Sequence, residues 1–188
     1  MNKIIKKSID QHLGLLSDIK NELYDLIFDA SKIILNATKN HKKIIWCGNG
    51  GSASQANHLS AELLGGMYKE KKEPFNSICL NTDTAFITAW SNDDSYKNIF
   101  VRQLKAVAQK GDILILLSTS GNSANIVNAA EFASINNLKV ISLTGNDGGK
   151  LSGLSDMNIN INSDSTQRIQ EMHILVGHIL CDIIENSL

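Results

Sequence analysis

Five short apolar runs, separated by stretches whose apolar residues recur at threes and fours, restrict this chain more than any other feature. The runs are KIIWC (43–47), NSICLN (76–81), DILILLS (112–118), KVISLT (139–144) and MNINI (157–161). Helical spacing falls between most of them, near 54–65, 95–109, 123–136 and 166–186. Parallel strands need crossover connections, and helical crossovers come to lie on the faces of the sheet. The alternation therefore predicts an α/β fold, a three-layer sandwich with a parallel five-stranded sheet covered on both sides. DILILL and KVISL are almost continuously apolar, as expected of strands buried on both faces.

The first 40 residues have a different rhythm. Ile5, Ile9, Leu13, Leu16, Ile19, Leu23, Leu26, Ile27, Ala30, Ile33 and Ile34 mark one long amphipathic helical arm, with Gly14 as the point where it bends or splits. Such a helix gains its stability from a packed apolar face, so the arm rests on the rest of the domain, on another subunit, or on both. With 188 residues and 43% apolar content, one domain over 1–188 is expected, the arm at 1–40 and an α/β core at 41–188.

Charge and cysteine content exclude several classes. The 18 basic and 19 acidic residues are spread along the chain and leave a net charge of -1, so no basic field exists to hold nucleic acid. No apolar run approaches the roughly 18 residues of a membrane span, and acidic groups interrupt the region where a secretory signal keeps its apolar core. A cytoplasmic protein is expected. Cys47, Cys79 and Cys181 are odd in number and widely spaced, which fits reduced thiols serving as small core residues. The run YKEKKE, beside the single proline Pro74, reads as a solvated loop.

Two turns share one chemistry. GNGGSAS (48–54) leaves the first strand and STSGNSAN (118–125) leaves the third, both at carboxyl ends of strands, where open parallel sheets bind ligands. Glycine permits close backbone approach, helix N-termini favour anions, and Ser118, Thr119, Ser120 and Ser123 add hydroxyl donors. A phosphate monoester on a small molecule suits this set. Neither turn has the spacing of a P-loop or a dinucleotide fingerprint. The structural alternative is a pair of tight turns with Ser123 as an N-cap. A third turn, TGNDGGKL (144–151), lacks the hydroxyl cluster and reads as structural.

His58 and Glu62 lie one helical turn apart on one face, which suits proton transfer, metal coordination or a plain ion pair. The last helix carries Gln170, Glu171, His173 and His178 among apolar residues that nearly surround it. His178, flanked by Val176, Gly177, Ile179 and Leu180, is expected to be buried and to need a hydrogen-bond partner. Periodicity does not select that partner.

Taken together, CGNGGSASQANHLSAEL, SND, STSGNSAN, LTGNDGG and RIQEMHILVGHILCDIIE resemble the phosphoheptose isomerases of the sugar isomerase (SIS) superfamily, over nearly the whole chain. The resemblance implies a flavodoxin-like SIS fold and conversion of sedoheptulose 7-phosphate to D-glycero-D-manno-heptose 7-phosphate, which feeds lipopolysaccharide, capsule or surface-layer heptose. It also implies a homotetramer with sites completed between subunits. By the same resemblance, Asn49, Gly50, Gly51 and Ser52 form a first substrate loop, and Asn92 and Asp93 make a second contact. Ser118, Thr119, Ser120 and Ser123 cradle the phosphate, and Gln170 touches both sugar and metal. Glu62 and His178 match the catalytic pair, and His58, Glu62, Gln170 and His178 match the ligands of one zinc ion per subunit. Two departures stand out: Gly66 and Met67 occupy positions where the family commonly has an arginine, and Gln167 stands where some members are acidic.

An aldose–ketose isomerase needs a base near a carbon-bound proton and an acid near the neighbouring oxygen. Glu62 is the expected base and His178 the expected acid, although a metal-bound carboxylate is a weaker base and Glu62 can serve as ligand instead. Two alternatives remain at this stage. One is a non-catalytic SIS protein that binds the replication initiator, in which the positions matching Glu62 and His178 are not retained; the other is an isomerase of a different ketose phosphate.

Overall fold

The structure, a computed structural model, describes residues 1–68 and 73–187. The elements run α1 (Asn2–Lys39), β1 (Ile44–Gly48), α2 (Gly51–Gly65), β2 (Ser77–Cys79), α3 (Thr84–Asp93), a 3-10 turn (Tyr96–Asn98), α4 (Ile99–Val107), β3 (Ile113–Ser118), α5 (Ala124–Ile135), β4 (Lys139–Gly145), α6 (Leu151–Leu154), β5 (Met157–Ile161) and α7 (Thr166–Ser187). All five strands are parallel, in the order β2-β1-β3-β4-β5. The predicted sandwich is the one observed.

Side chains alternate across the sheet, and this splits the core in two. Ile44 and Trp46 of β1, with Ile113, Ile115 and Leu117 of β3, face α1, α2 and α7. Ile45 and Cys47, with Leu114 and Leu116, face α4 and α5, where Phe100, Leu104, Ile126 and Ala129 are fully buried. Every residue of β1 and β3 is buried, which is why their sequences show no polar alternation.

Several boundaries differ from expectation. Helix α1 passes through Gly14 without a break, because that glycine meets no neighbour that would demand a bend. The helix expected near 95–109 begins as the 3-10 turn, since Ser95 takes an extended conformation and its hydroxyl accepts from Lys97 N. Helices α3 and α6 lie where no helix was expected; α3 buries none of its residues deeply, so it carries little apolar periodicity. Strand β2 is only three residues long, at the sheet edge. Residues 69–72 of the charged run lie outside the described residues.

The arm divides by packing. Leu23, Ile27, Ala30, Ile34 and Ala37 join the core, whereas Ile4, Ile5, Ile9 and Leu13 are more than half exposed, as are Tyr24 and Phe28. His12 Nδ1 and Glu171 Oε2 of α7 are 2.8 Å apart, and Arg168 reaches both Glu171 and the Ser8 carbonyl, so polar contacts hold the middle of the arm. Among the described residues no helix is long and apolar enough to cross a membrane. All three cysteines are free and buried, as expected; burial pushes the Cys181 thiol up to about 12.

At the amino ends of the strands, the buried carboxylate of Asp112 accepts from Lys43 N (2.9 Å) and Gln109 N (2.8 Å) and pairs with Lys43 Nζ (2.9 Å). This joins β1 to β3 before the site-bearing ends are reached. Asp112→Ala strands two backbone donors and a largely buried ammonium, and is expected to cost about 3 kcal/mol in urea unfolding.

Candidate active site

Strand β1 leaves the sheet toward β2 on one side, and β3 begins the progression to the other, so the crevice between their carboxyl ends is the topological switch point. Both small-residue turns open there. Gly50 adopts φ +56 at the N-cap of α2, a conformation glycine takes without strain. Asn81 accepts from Gly48 N and donates to Gly48 O, which fixes the end of β1.

The two turns touch through amides. Asn49 Nδ2 donates to Asn125 Oδ1 (2.8 Å), Asn125 Nδ2 donates back to Asn49 Oδ1 (2.9 Å), and the Tyr96 hydroxyl donates to the same Oδ1 (2.8 Å). Asn125 and Tyr96 are site-shaping residues that the sequence reading did not single out. Asn125 belongs to the STSGNSAN run, but nothing in spacing distinguishes a buried cross-loop amide from a helix-starting asparagine.

In the second turn, Ser118 is buried and its Oγ has no hydrogen-bond partner among the described residues, while Thr119, Ser120 and Ser123 are at least partly accessible. Ser123 is the N-cap residue of α5 by position, yet its side chain makes no capping bond. The capping role expected of an ordinary turn is therefore not what its hydroxyl does. The third turn buttresses the second: Leu151 N donates to Gly121 O, and Lys150 N to Asn122 Oδ1. A Cβ on Gly121, whose φ is +62, would stand 2.0 Å from Gly148 O. That third turn is structural, as read.

From the first turn onward, α2 and α7 run side by side in the same direction. Gln170 packs so tightly on the start of α2 that a Cβ on Gly51 would lie 2.7 Å from its Nε2, and Gln55 Nε2 donates to Gln170 O (2.7 Å). Two turns on, His58 Nε2 and His178 Nε2 are 2.8 Å apart, with the rings edge to face. Glu62 Oε1 is 3.5 Å from His58 Nε2. Residues 120 positions apart in the chain thus meet at one point. The His58 and Glu62 side chains are 47% and 24% exposed, so a small molecule can reach them.

One expectation is corrected. His178 is only partly buried; the fully buried histidine of α7 is His173, whose Nε2 lies 2.9 Å from Thr144 O. Both sit among apolar neighbours in sequence, and only the helix orientation separates them. Asn92 and Asp93 stand exposed at the end of α3, where Asn92 Nδ2 donates to Asp93 Oδ1 (2.8 Å); Tyr96, just beyond, makes the link to Asn49. Gln167 lies in the first turn of α7, its Oε1 3.4 Å from Ser165 Oγ.

Comparison with known proteins gives the chain's family and fold. The SIS domain family model matches residues 9–145. The phosphoheptose isomerase of Aliarcobacter butzleri is 45% identical over 188 residues, covering 100% of this chain and 99% of the relative. This chain belongs to the phosphoheptose isomerase family. The solved phosphoheptose isomerase GmhA of Neisseria gonorrhoeae superposes with a TM-score of 0.93 at 35% identity, covering 100% of this chain and 99% of the other. That of Francisella tularensis gives 0.94 at 35% identity, with 98% and 97% covered. The family's fold is thus the fold seen here.

Among the described residues no group of three or more His, Cys, Asp or Glu is assembled as a metal site. The donors at His58, Glu62 and His178 are nevertheless those zinc takes. Two Zn–N bonds of about 2.0 Å at a tetrahedral angle hold their nitrogens about 3.3 Å apart, whereas these two are 2.8 Å apart in a hydrogen-bonded contact.

Two outcomes are expected. A Cβ on Gly177 would stand 2.3 Å from Cδ1 of the fully buried Leu59, so Gly177→Ala should lower stability by about 1–3 kcal/mol in denaturant unfolding and push the two helices apart. Burial pushes His173 down to about 4 from its ordinary 6.5. Between those values the unfolded chain binds a proton that the folded one does not, so stability falls as pH drops through this window. The His173→Asn variant should lose that part of the pH dependence in urea titrations.

Proposed function

We propose that this protein converts sedoheptulose 7-phosphate to D-glycero-D-manno-heptose 7-phosphate, the entry step to activated heptose. The observation that carries the reading is the meeting of His58, Glu62 and His178 on the seam between α2 and α7, in a chain 45% identical to a phosphoheptose isomerase over its full length. Retention of Glu62 and His178 favours catalysis over the initiator-binding alternative, since function follows the site rather than the fold.

In this mechanism the Ser118–Ser123 turn holds the phosphate through hydroxyls and backbone N–H groups, and Asn49, Gly50, Gly51 and Ser52 line the sugar, with Asn92 and Asp93 as a further contact. Anchoring the far end keeps the reacting carbons aligned. Glu62 removes a proton from C1 while His178 donates one to the C2 oxygen, giving an enediol. The O1 hydroxyl proton is then withdrawn as C2 receives a proton. One hydrogen has moved from C1 to C2 and one from O1 to O2, with no change in composition.

His58, Glu62 and His178 are the residues that would hold a zinc ion, which when bound would supply a Lewis acid for the carbonyl; Gln170, the fourth ligand that the resemblance implies, packs on Gly51 two helical turns away in this chain. To admit it the two imidazoles would have to separate by a few tenths of an ångström from their 2.8 Å contact. We further read 1–188 as one SIS domain acting in the cytoplasm as a homotetramer. The exposed apolar residues at the start of α1, and an apolar groove of about 270 Å³ between α1 and α7 lined by Leu16, Tyr24, Phe28, Leu175 and Ile179, are suited to a second copy of the chain.

Purified protein should convert sedoheptulose 7-phosphate in preference to C5 and C6 ketose phosphates, and lose activity with a chelator. Glu62→Gln should fold normally and lose at least about 100-fold in kcat. Near-normal turnover by that variant would reject the role given to Glu62, and a preference for a shorter ketose phosphate would replace the substrate.

A further inference from the structure

Beyond the site, one buried carboxylate in α7 is placed to govern it. Glu185 is 2% exposed, and its two oxygens accept backbone N–H groups from the segment that leaves α2: Oε2 from Met67 N (2.7 Å) and Oε1 from Tyr68 N (3.4 Å). Gly66, with φ +84, forms the C-cap of α2 through Gly66 N to Glu62 O (2.8 Å), and a Cβ there would lie 3.4 Å from Glu185 Oε1. The segment held by Glu185 therefore begins immediately after the turn that carries Glu62.

The same face of α7 bears His178, Cys181 and Glu185, spaced by three and four residues. Their partners on α2 and on the segment that leaves it advance in step: His178 meets His58, the Cys181 thiol lies 3.8 Å from Leu59 O, and Glu185 meets Met67 and Tyr68. At the other end of the helix pair, Gln55 is tied to Gln170 O. Two clamps thus bracket the catalytic point, one at each end. A slide or splay of α7 against α2 would change the Glu62–His178 separation directly, and the Glu185 clamp opposes it at the end nearer Glu62.

We infer that Glu185 is a positioning residue for the isomerisation, setting the register of α7 against the end of α2 and so the placement of Glu62 relative to His178. This rests on the isomerase reading above. It also gives Gly66 and Met67 a function of their own where the family commonly has an arginine: Gly66 supplies the positive φ, and Met67 the backbone donor, that let the chain turn onto Glu185.

The test compares wild type, Glu185→Ala, Glu185→Gln and a control, Asp156→Asn, by steady-state kinetics on sedoheptulose 7-phosphate and by thermal unfolding. Asp156 accepts from Val140 N and pairs with Lys139 at the opposite, amino end of the sheet, so its loss weakens the fold away from the site. Glu185→Ala should lower kcat by about 10- to 100-fold with KM within about 2-fold, because the phosphate turn is untouched while the reacting groups are misplaced. Glu185→Gln keeps one acceptor and should recover most of that loss, and Asp156→Asn should lower Tm with kcat unchanged. If Glu185→Ala does not fold, Glu185→Gln alone decides, with a several-fold drop in kcat at constant KM expected. Wild-type kcat in the folded Glu185 variants, or a loss in KM alone, would overturn the inference. An inactive wild type would instead overturn the isomerase reading.

Discussion

Everything at the site depends on how closely α2 and α7 approach. Gly177 presents no side chain to Leu59, and a single methyl there would overlap the leucine by more than an ångström of ordinary contact distance. That absence lets His178, the next residue, reach His58 across the seam. Because the helices run in the same direction, contacts made early in one are made early in the other. Gln170 at the start of α7 rests on Gly51 at the start of α2, and Glu185 near the end of α7 takes the chain leaving α2.

The sheet supplies the second half of the geometry. Strand order places the ends of β1 and β3 side by side, so the turn that begins α2 and the turn that begins α5 share one crevice. The Asn49–Asn125 amide pair joins them, and the third turn braces the hydroxyl-rich one from behind. If the second turn holds the phosphate as proposed, these contacts would fix that anchor within the fold. The proposed division of labour, in which one element would grip the charged tail while another would present the acid and base, suits a sugar phosphate.

Much of this was legible in the sequence because the physics is local. Continuous apolar runs mark strands buried on both faces, and the glycine- and serine-rich turns fall at their carboxyl ends. The i, i+4 spacing of His58 and Glu62 puts them on one face whatever the tertiary context. What was illegible depends on orientation. His173 and His178 occupy similar apolar surroundings in sequence, and only the rotation of α7 buries the first against Thr144 and leaves the second partly exposed beside His58. Helix α3 leaves no apolar periodicity because it buries no face deeply, and Glu185 reads as one more charge near a helix end without the segment after α2 that folds onto it. The motifs that carry the resemblance to the phosphoheptose isomerases also contain residues that hold the site together, Asn125, Gly177 and Glu185 among them, but their contacts cannot be read from the motifs.

The most direct measurement is a crystal structure of the Glu62→Gln variant with sedoheptulose 7-phosphate. Density for the phosphate among Ser118, Thr119, Ser120 and Ser123, with C1 and C2 lying between residue 62 and His178, is the predicted result. A sugar bound with its phosphate elsewhere, or with its carbonyl end beyond reach of both side chains, would contradict the account.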